Sequence, residues 1–249
     1  MSVFGGNATR KGVVFYSNGK RSAAYRDCKG NITIKTERSS LSDKLNPLRR
    51  IPFVRGLVIL LDTFIRAWKL NVIIIAAVTA LVFMLDNSNQ NLFDFDKVYN
   101  ETTLVIEQYF LLVVLVMGFI ATKFTGVARY HGAEHKVFNA CKHNLPLTLE
   151  NVKTQKRYAE ECGTNLLVFI FMVLSFAQWT GVSFFISFLI GSSIGYEIFA
   201  AKGRITRNVL KPFYIVGFMI QYFIFTSEPG EKELEVAIAA VRGLWEYRE

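Results

Sequence analysis

The chain has 249 residues, of which 51% are hydrophobic, including 22 Phe and 10 Tyr. This apolar content is more than a soluble domain of this length needs, and it is typical of a polytopic membrane protein. The net charge of +9 is compatible with nucleic-acid binding. However, the basic residues lie in blocks beside the apolar segments, where membrane topology and anionic lipid account for them. We therefore expect no nucleic-acid partner.

The first 50 residues are polar and basic, and they contain three short apolar runs separated by turn residues. The pair Asn18-Gly19 stands between the first two runs, and Asn-Gly flanked by apolar runs is the strongest short-range signal for a β-hairpin. We predict a small cytoplasmic three-stranded β-meander, with strands near residues 13–16, 23–25 and 32–34. So small a sheet is unstable alone, and we expect it to pack on the membrane region.

Three apolar segments follow in the first half of the chain. Residues 53–69 are interrupted by charged side chains, which favours an amphipathic helix in the lipid headgroup region. An extension of the following span is the alternative for this segment. Residues 70–85 carry no charge, and residues 104–121 carry only Glu107. We predict that these two segments cross the membrane as helices.

A longer apolar stretch, residues 166–201, contains only one charged residue, Glu197. As a single helix it would be about 54 Å long, well beyond a hydrocarbon core of about 30 Å. The segment 178–181 (Gln-Trp-Thr-Gly) is the natural position for a turn. We therefore predict two further spans, near residues 162–177 and 181–200.

The distribution of basic residues supports four spans. Of the 29 Lys and Arg residues, 14 precede residue 70, seven lie between residues 122 and 165, and seven follow residue 201. Only Lys97 lies in the 86–103 connection. Because cytoplasmic loops are enriched in Lys and Arg, four crossings with both termini in the cytoplasm fit best. The predicted fold is a mainly α, polytopic membrane protein with about four transmembrane helices, additional amphipathic helices and the N-terminal meander.

Two segments remain after the predicted spans. Residues 209–226 are apolar but contain Lys211-Pro212, and we predict a re-entrant or in-plane segment that completes a membrane domain of residues 51–226. Residues 227–249 then place apolar side chains at helical spacing. This pattern predicts a cytoplasmic amphipathic tail helix that docks on the rest of the protein.

The cytoplasmic connection 122–161 contains the most informative motif, His131-Gly132-Ala133-Glu134-His135. It reads H-x-x-E-H, and the chain has only three His residues. On a helix the two imidazoles lie one turn apart, which suits a divalent metal such as zinc, with His131 and His135 as ligands and Glu134 as the general base. The alternative is that the imidazoles bind lipid headgroups or cap a helix end.

Two more residues lie on the same side of the membrane in this topology. Cys162 immediately precedes the third apolar stretch, and Glu197 lies near the inner end of the fourth. Either could supply a further metal ligand, because zinc sites commonly combine His, thiolate and carboxylate. Alternatively, Cys162 packs as a small hydrophobic residue, and Glu197 pairs with Lys202 or Arg204 at the inner interface.

The chain resembles the YqhQ-like family of bacterial membrane proteins over nearly its whole length. The matching segments are YHGAEHK (130–136), LPLTLENV (145–152), CGT (162–164), IGYE (194–197), SEP (227–229), LEVAI (234–238) and, near the start, residues 5–6, 12–13 and 52–56. The resemblance implies a metal-dependent enzyme of the bacterial inner membrane. It does not imply a substrate.

Two positions depart from the family pattern. Lys11 stands where the family typically has Glu in its opening motif, and Ala159 stands where it typically has His, three residues before Cys162. Our leading hypothesis is a metal-dependent hydrolase of the membrane surface. The alternative is a catalytically inactive scaffold or transport-associated subunit. The expected partners are the lipid bilayer and either a second copy of the chain or another membrane protein.

Overall fold

The structure is a computed structural model. It describes residues 5–17, 19–38, 47–66, 115–201 and 203–246, together with positions 68, 72, 76 and 112. Most of the predicted span at 70–85 and all of the 86–103 connection lie outside the described residues. The predicted span at 104–121 is described at 112 and from 115 onward, where it is helical.

The N-terminal region forms an antiparallel sheet of four strands, not three. In sequence and spatial order these are β1 (Gly5–Ala8), β2 (Gly12–Ser17), β3 (Lys20–Arg26) and β4 (Ile32–Arg38). The β2–β3 hairpin forms where it was predicted, and Gly19 has the positive φ of 74° that a two-residue turn requires. Strand β1 was missed because its sequence, Gly-Gly-Asn-Ala, has no apolar run.

The rest of the described chain is mainly helical, as predicted. The helices are α1 (Val54–Arg66), α2 (115–123), α3 (Val127–Lys142), α4 (Leu149–Lys153), α5 (Gly163–Trp179), α6 (Phe184–Ala200), α7 (Arg204–Ile220) and α8 (Glu231–Glu246). A 3-10 turn, Leu48–Arg50, precedes α1, and a π-helical turn, Gln221–Phe225, extends α7.

The sheet packs on α8 and on α3, which lies in the connection 122–161 of the predicted membrane domain. Phe15 of the sheet, Val137 of α3 and Leu234 of α8 are almost completely buried in one hydrophobic core. Gly243 of α8 lies so close to Ile34 that a Cβ atom there would overlap its side chain. The tail helix therefore docks on the sheet because its apolar face completes that core.

The long apolar stretch is broken where the sequence predicted. Helix α5 ends at Trp179, the turn contains Gly181 with φ of 86°, and α6 starts at Phe184. Gly195 of α6 lies against the backbone of Ile170 in α5, so the two helices approach closely. Each helix has 17 residues.

One helix among the described residues is long and apolar enough to cross a membrane, namely Thr206–Phe225 with 20 residues. It includes Pro212, which membrane helices tolerate when neighbouring groups satisfy the freed backbone carbonyl. The segment predicted to be re-entrant or in-plane, 209–226, lies almost entirely within this helix. The four-span topology remains a prediction.

Candidate metal centre

Helix α3 presents the H-x-x-E-H motif on one face, as its spacing predicted. His131 and His135 are one turn apart, and their ring centroids are 4.3 Å apart. His135 and Glu134 are buried, whereas the His131 side chain is 19% exposed. The two rings therefore meet at the wall of a cavity and not at a free surface.

Both imidazoles are oriented by backbone carbonyls. The Nδ1 atom of His131 is 3.1 Å from the carbonyl oxygen of Phe225, and Nδ1 of His135 is 2.9 Å from that of Arg157. Since a carbonyl can only accept, each Nδ1 is the N–H donor, which leaves Nε2 as the ligand atom. Metal-binding His residues almost always donate their other ring N–H in this way.

Cys162 joins the two imidazoles from a different element. It is the N-cap residue of α5, and its Sγ atom is 3.6 Å from Nε2 of His131. The potential ligand atoms of His131, His135 and Cys162 all lie within 4.8 Å of one another. In a tetrahedral zinc site with usual bond lengths, sulfur and nitrogen ligands are about 3.6 Å apart. The distance between Cys162 and His131 matches this spacing, and the three side chains are of the types that could hold a zinc-like ion.

The carboxylate of Glu134 borders the same point. Its Oε2 atom is 3.7 Å from Nε2 of His131 and 3.9 Å from Nε2 of His135. Strand β1 passes directly beside it, because a Cβ atom on Gly6 would overlap the Glu134 side chain. A glycine at position 6 is thus required for the strand to approach the motif helix so closely.

Burial and mutual proximity shift the pKa values of these groups. Burial raises the pKa of the Glu134 carboxyl, against the opposing effect of His135 and His131. Burial also disfavours the Cys162 thiolate, yet the neighbouring imidazoles together lower the pKa of this thiol well below its usual value. Burial opposes protonation of His135, but Cys162 and Glu134 raise the pKa of that imidazole to about 9. The neighbouring imidazoles thus favour the thiolate of Cys162, the form that binds metals.

Glu197, the remaining predicted ligand, is not part of this cluster. Its Oε1 atom accepts hydrogen bonds from Nε of Arg55 and from the backbone N–H of Phe53, each at 2.8 Å. A second contact joins its Oε2 atom to the same guanidinium. Among the described side chains, the ion-pair partner of Glu197 is Arg55 on α1; the side chains of the two predicted partners, Lys202 and Arg204, lie outside the described ones. Its role is to hold α1 against α6.

The cluster opens into a cavity of about 860 Å³. The motif residues and Cys162 line one part of it, and the whole of β1 lines another. Sequence reasoning missed this contribution of Gly5–Ala8, although the paired glycines at its start were a usable signal. The carbonyls of Phe225 and Arg157 were also missed, and they offered no signal, because every residue carries a carbonyl.

Comparison with known proteins identifies the family. A family model described as "Protein of unknown function (DUF1385)" matches residues 67–246, most of the chain. The chain belongs to this family. It is also 25% identical over 298 aligned residues to "Uncharacterized protein YqhQ" of Bacillus subtilis (strain 168), covering 97% of the chain and 92% of that protein. No solved structure matches it. The family resemblance seen in the sequence is thus confirmed.

The two departures from the family pattern have different positions relative to the centre. Lys11 is exposed beyond the end of β1. Ala159 is buried and lines the cavity, and its backbone N–H donates to the side chain of Gln221 at 2.9 Å. An imidazole at position 159 would therefore border the cavity, but the group of two His residues and Cys162 forms without it.

Proposed function

We propose that the protein is a metal-dependent hydrolase of the bacterial inner membrane, with its metal centre at the cytoplasmic face. The observation that carries this proposal is the convergence of two imidazoles, a thiol and a carboxylate from two separate elements. The tautomers of both imidazoles leave Nε2 directed at the same point. Such a constellation of titratable groups in a cavity is the usual basis for a site hypothesis.

Each residue has a distinct role in the proposed centre. His131, His135 and Cys162 would hold a zinc-like divalent ion, which leaves a fourth position open, as in catalytic zinc sites. A metal ion bound there would supply Lewis-acid chemistry. Glu134, whose carboxylate borders both imidazoles and whose pKa is raised by burial, would accept a proton from the attacking water.

The membrane location rests on the apolar helices. Helix α7 with its π-helical turn is the candidate span, and the α5–α6 hairpin exposes large apolar side chains, among them Phe176 (65% exposed), Trp179 (82%) and Phe185 (69%). Exposed groups of this size are typical of a lipid-facing surface. We propose that the hairpin also crosses the membrane, which places both termini in the cytoplasm under the four-span topology.

Metal analysis of detergent-purified protein tests the proposal. We expect about one zinc ion per chain in the native protein and in a His143→Ala control, because His143 lies outside the cluster and contacts Gln155. We expect little zinc in the His131→Ala/His135→Ala variant. Equal zinc content in all three samples would contradict the metal centre.

The inactive scaffold remains the second candidate, and it is favoured by Ala159, which gives the cavity wall a methyl group in place of the expected imidazole. A scaffold of this kind would be purified without metal and with a stoichiometric partner protein. Stoichiometric zinc together with hydrolysis of a chromogenic ester such as p-nitrophenyl acetate would decide for the hydrolase.

A further inference from the structure

Strand β1 is an edge strand, and among the described residues no other strand pairs with its outer side. The strand order is β1-β2-β3-β4, so β1 has a neighbour on one side only. The backbone N–H of Thr9 donates to the carbonyl of Gly12, at 2.9 Å, where the β1–β2 hairpin closes. Since hydrogen-bonded and non-hydrogen-bonded pairs alternate along an antiparallel ladder, the inward-bonding residues of β1 are Gly5 and Asn7.

The other two residues of β1 direct their backbone groups outward. By the same alternation, the N–H and C=O groups of Gly6 and Ala8 lie on the free side of the strand. In the described part of the chain, no residue forms a hydrogen bond with these outward groups. The edge therefore offers two donors and two acceptors at the spacing of a β-strand.

This edge also lacks the features that usually protect exposed strands. Edge strands are commonly blunted by charged side chains or proline, and β4, on the opposite edge, carries Lys35, Glu37 and Arg38. Strand β1 has no charged residue, and a Cβ atom at Gly5 would meet nothing within 4 Å. A glycine in a strand often marks a place where another backbone approaches closely.

The unpaired edge borders the candidate metal centre. All four residues of β1 line the cavity that also contains His131, Glu134 and Cys162. Gly6 is in contact with Glu134 itself. Because neighbouring strands lie about 4.8 Å apart, a strand added to β1 would lie next to residues that line this cavity.

We propose that the substrate is an extended polypeptide, which adds to β1 as a fifth strand and is hydrolysed at one of its peptide bonds. The proposal rests on the hydrolase function proposed above. Strand addition supplies affinity through main-chain hydrogen bonds with little dependence on side chains. In the reaction, the oxygen of water bonds to the carbonyl carbon, the C–N bond breaks, and Glu134 transfers the water proton to the departing amine.

Photo-crosslinking tests the docking mode without requiring turnover. The probe is a proline-free nonapeptide library with a photo-reactive central residue, and the protein is the full-length, zinc-loaded Glu134→Gln variant in detergent. We expect mass spectrometry to locate the crosslinks in residues 5–8. Ala8→Pro removes one outward donor, which an edge strand tolerates, and should weaken binding roughly two- to tenfold. The Ala8→Ser control keeps the donor and should bind normally.

A second measurement uses unmodified protein, so that it does not depend on the folding of the proline variant. N-methylation of the peptide backbone should weaken binding at alternate positions only, because every second N–H of the added strand faces β1. Crosslinks away from β1, or equal effects at all positions, would overturn the peptide proposal. Zinc is measured in the same samples: bound zinc with no crosslink at β1 contradicts the peptide proposal alone, whereas absence of zinc contradicts the proposed hydrolase.

Discussion

At the scale of single residues, the candidate centre depends on the orientation of two imidazole rings. The Nε2 atoms of His131 and His135 point toward Cys162, and each ring is locked by a carbonyl on its opposite side. Such outer hydrogen bonds fix the tautomer and the ring orientation of a metal ligand. The motif on α3 therefore supplies the two imidazoles of the candidate centre, while the carbonyls of Phe225 and Arg157 set their direction.

Replacing the Cys162 thiol tests whether this residue is a metal ligand or only a packed side chain. We expect Cys162→Ser to lower zinc affinity by more than the roughly 10–100-fold typical of changes in groups that only orient a ligand. Cys141→Ser is the matched control, because Cys141 is also a partly buried free cysteine on the same domain but lies outside the cluster. Competition with a chromogenic chelator measures both affinities. Equal affinities would show that Cys162 is not a ligand.

The two adjacent glycines of β1 offer a test of the proposed role of Glu134 as the general base. A Cβ atom at position 6 would overlap the Glu134 side chain, whereas one at position 5 meets nothing within 4 Å. We expect Gly6→Ala to displace Glu134 and reduce ester hydrolysis by up to about a hundredfold, the effect of a misplacement of about 1 Å. Zinc content should not change. Gly5→Ala should retain the full rate, and a similar loss in both variants would argue against this role of Glu134.

At the scale of elements, charge pairs join helices that are distant in sequence. The carboxylate of Glu197 on α6 accepts hydrogen bonds from Arg55 on α1 and from the backbone of Phe53. Gly56 lies directly against the carbonyl of Ser192, so the two helices are also in close contact there. Glu197 thus joins α6 to α1, and it is not part of the cluster of His131, His135 and Cys162.

The Glu197→Gln variant tests this assignment. Loss of the charged acceptor should lower the thermal stability of the detergent-solubilised protein, because hydrogen bonds to charged groups contribute about 1.5–3 kcal/mol. Zinc content should equal that of the native protein. Glu150→Gln, at an exposed position on α4, serves as the control and should change neither quantity. A loss of zinc in Glu197→Gln would restore Glu197 as a ligand.

At the scale of the whole molecule, the candidate centre lies where a packed core meets the apolar helices. The two His residues come from α3, which packs on the sheet, whereas Cys162 lies at the start of α5 and Phe225 at the end of the candidate span. The chain also brings its two terminal regions together, since α8 packs on β2 and β3. The carbonyl of Phe225 therefore connects the candidate span to the candidate centre.

The proposed topology can be tested with a membrane-impermeant maleimide. Cys28 is exposed in the loop between β3 and β4 and should lie in the cytoplasm. The maleimide should therefore label Cys28 in permeabilised spheroplasts but not in intact ones. A Ser88→Cys substitution in the 86–103 connection should be labelled in both. Mass spectrometry of the labelled peptides identifies the site. Labelling of Cys28 in intact spheroplasts would contradict the topology.

The sequence by itself determined the features that depend on short-range periodicity. The helical spacing of His131, Glu134 and His135, the hairpin at Gly19 and the turn at Gly181 were all readable, because each follows from local backbone geometry. Strand β1 was not readable, since a strand of glycine and polar residues has no hydrophobic pattern.

Only the tertiary structure decided which distant groups meet. Cys162 lies beside His131 although 31 residues separate them, and Glu197 is bound by Arg55 from 142 residues away. The contact of Gly6 with Glu134 is equally non-local. Such pairings depend on how whole elements pack. The identity of a residue in the sequence does not reveal which distant neighbour its carbonyl or carboxylate contacts.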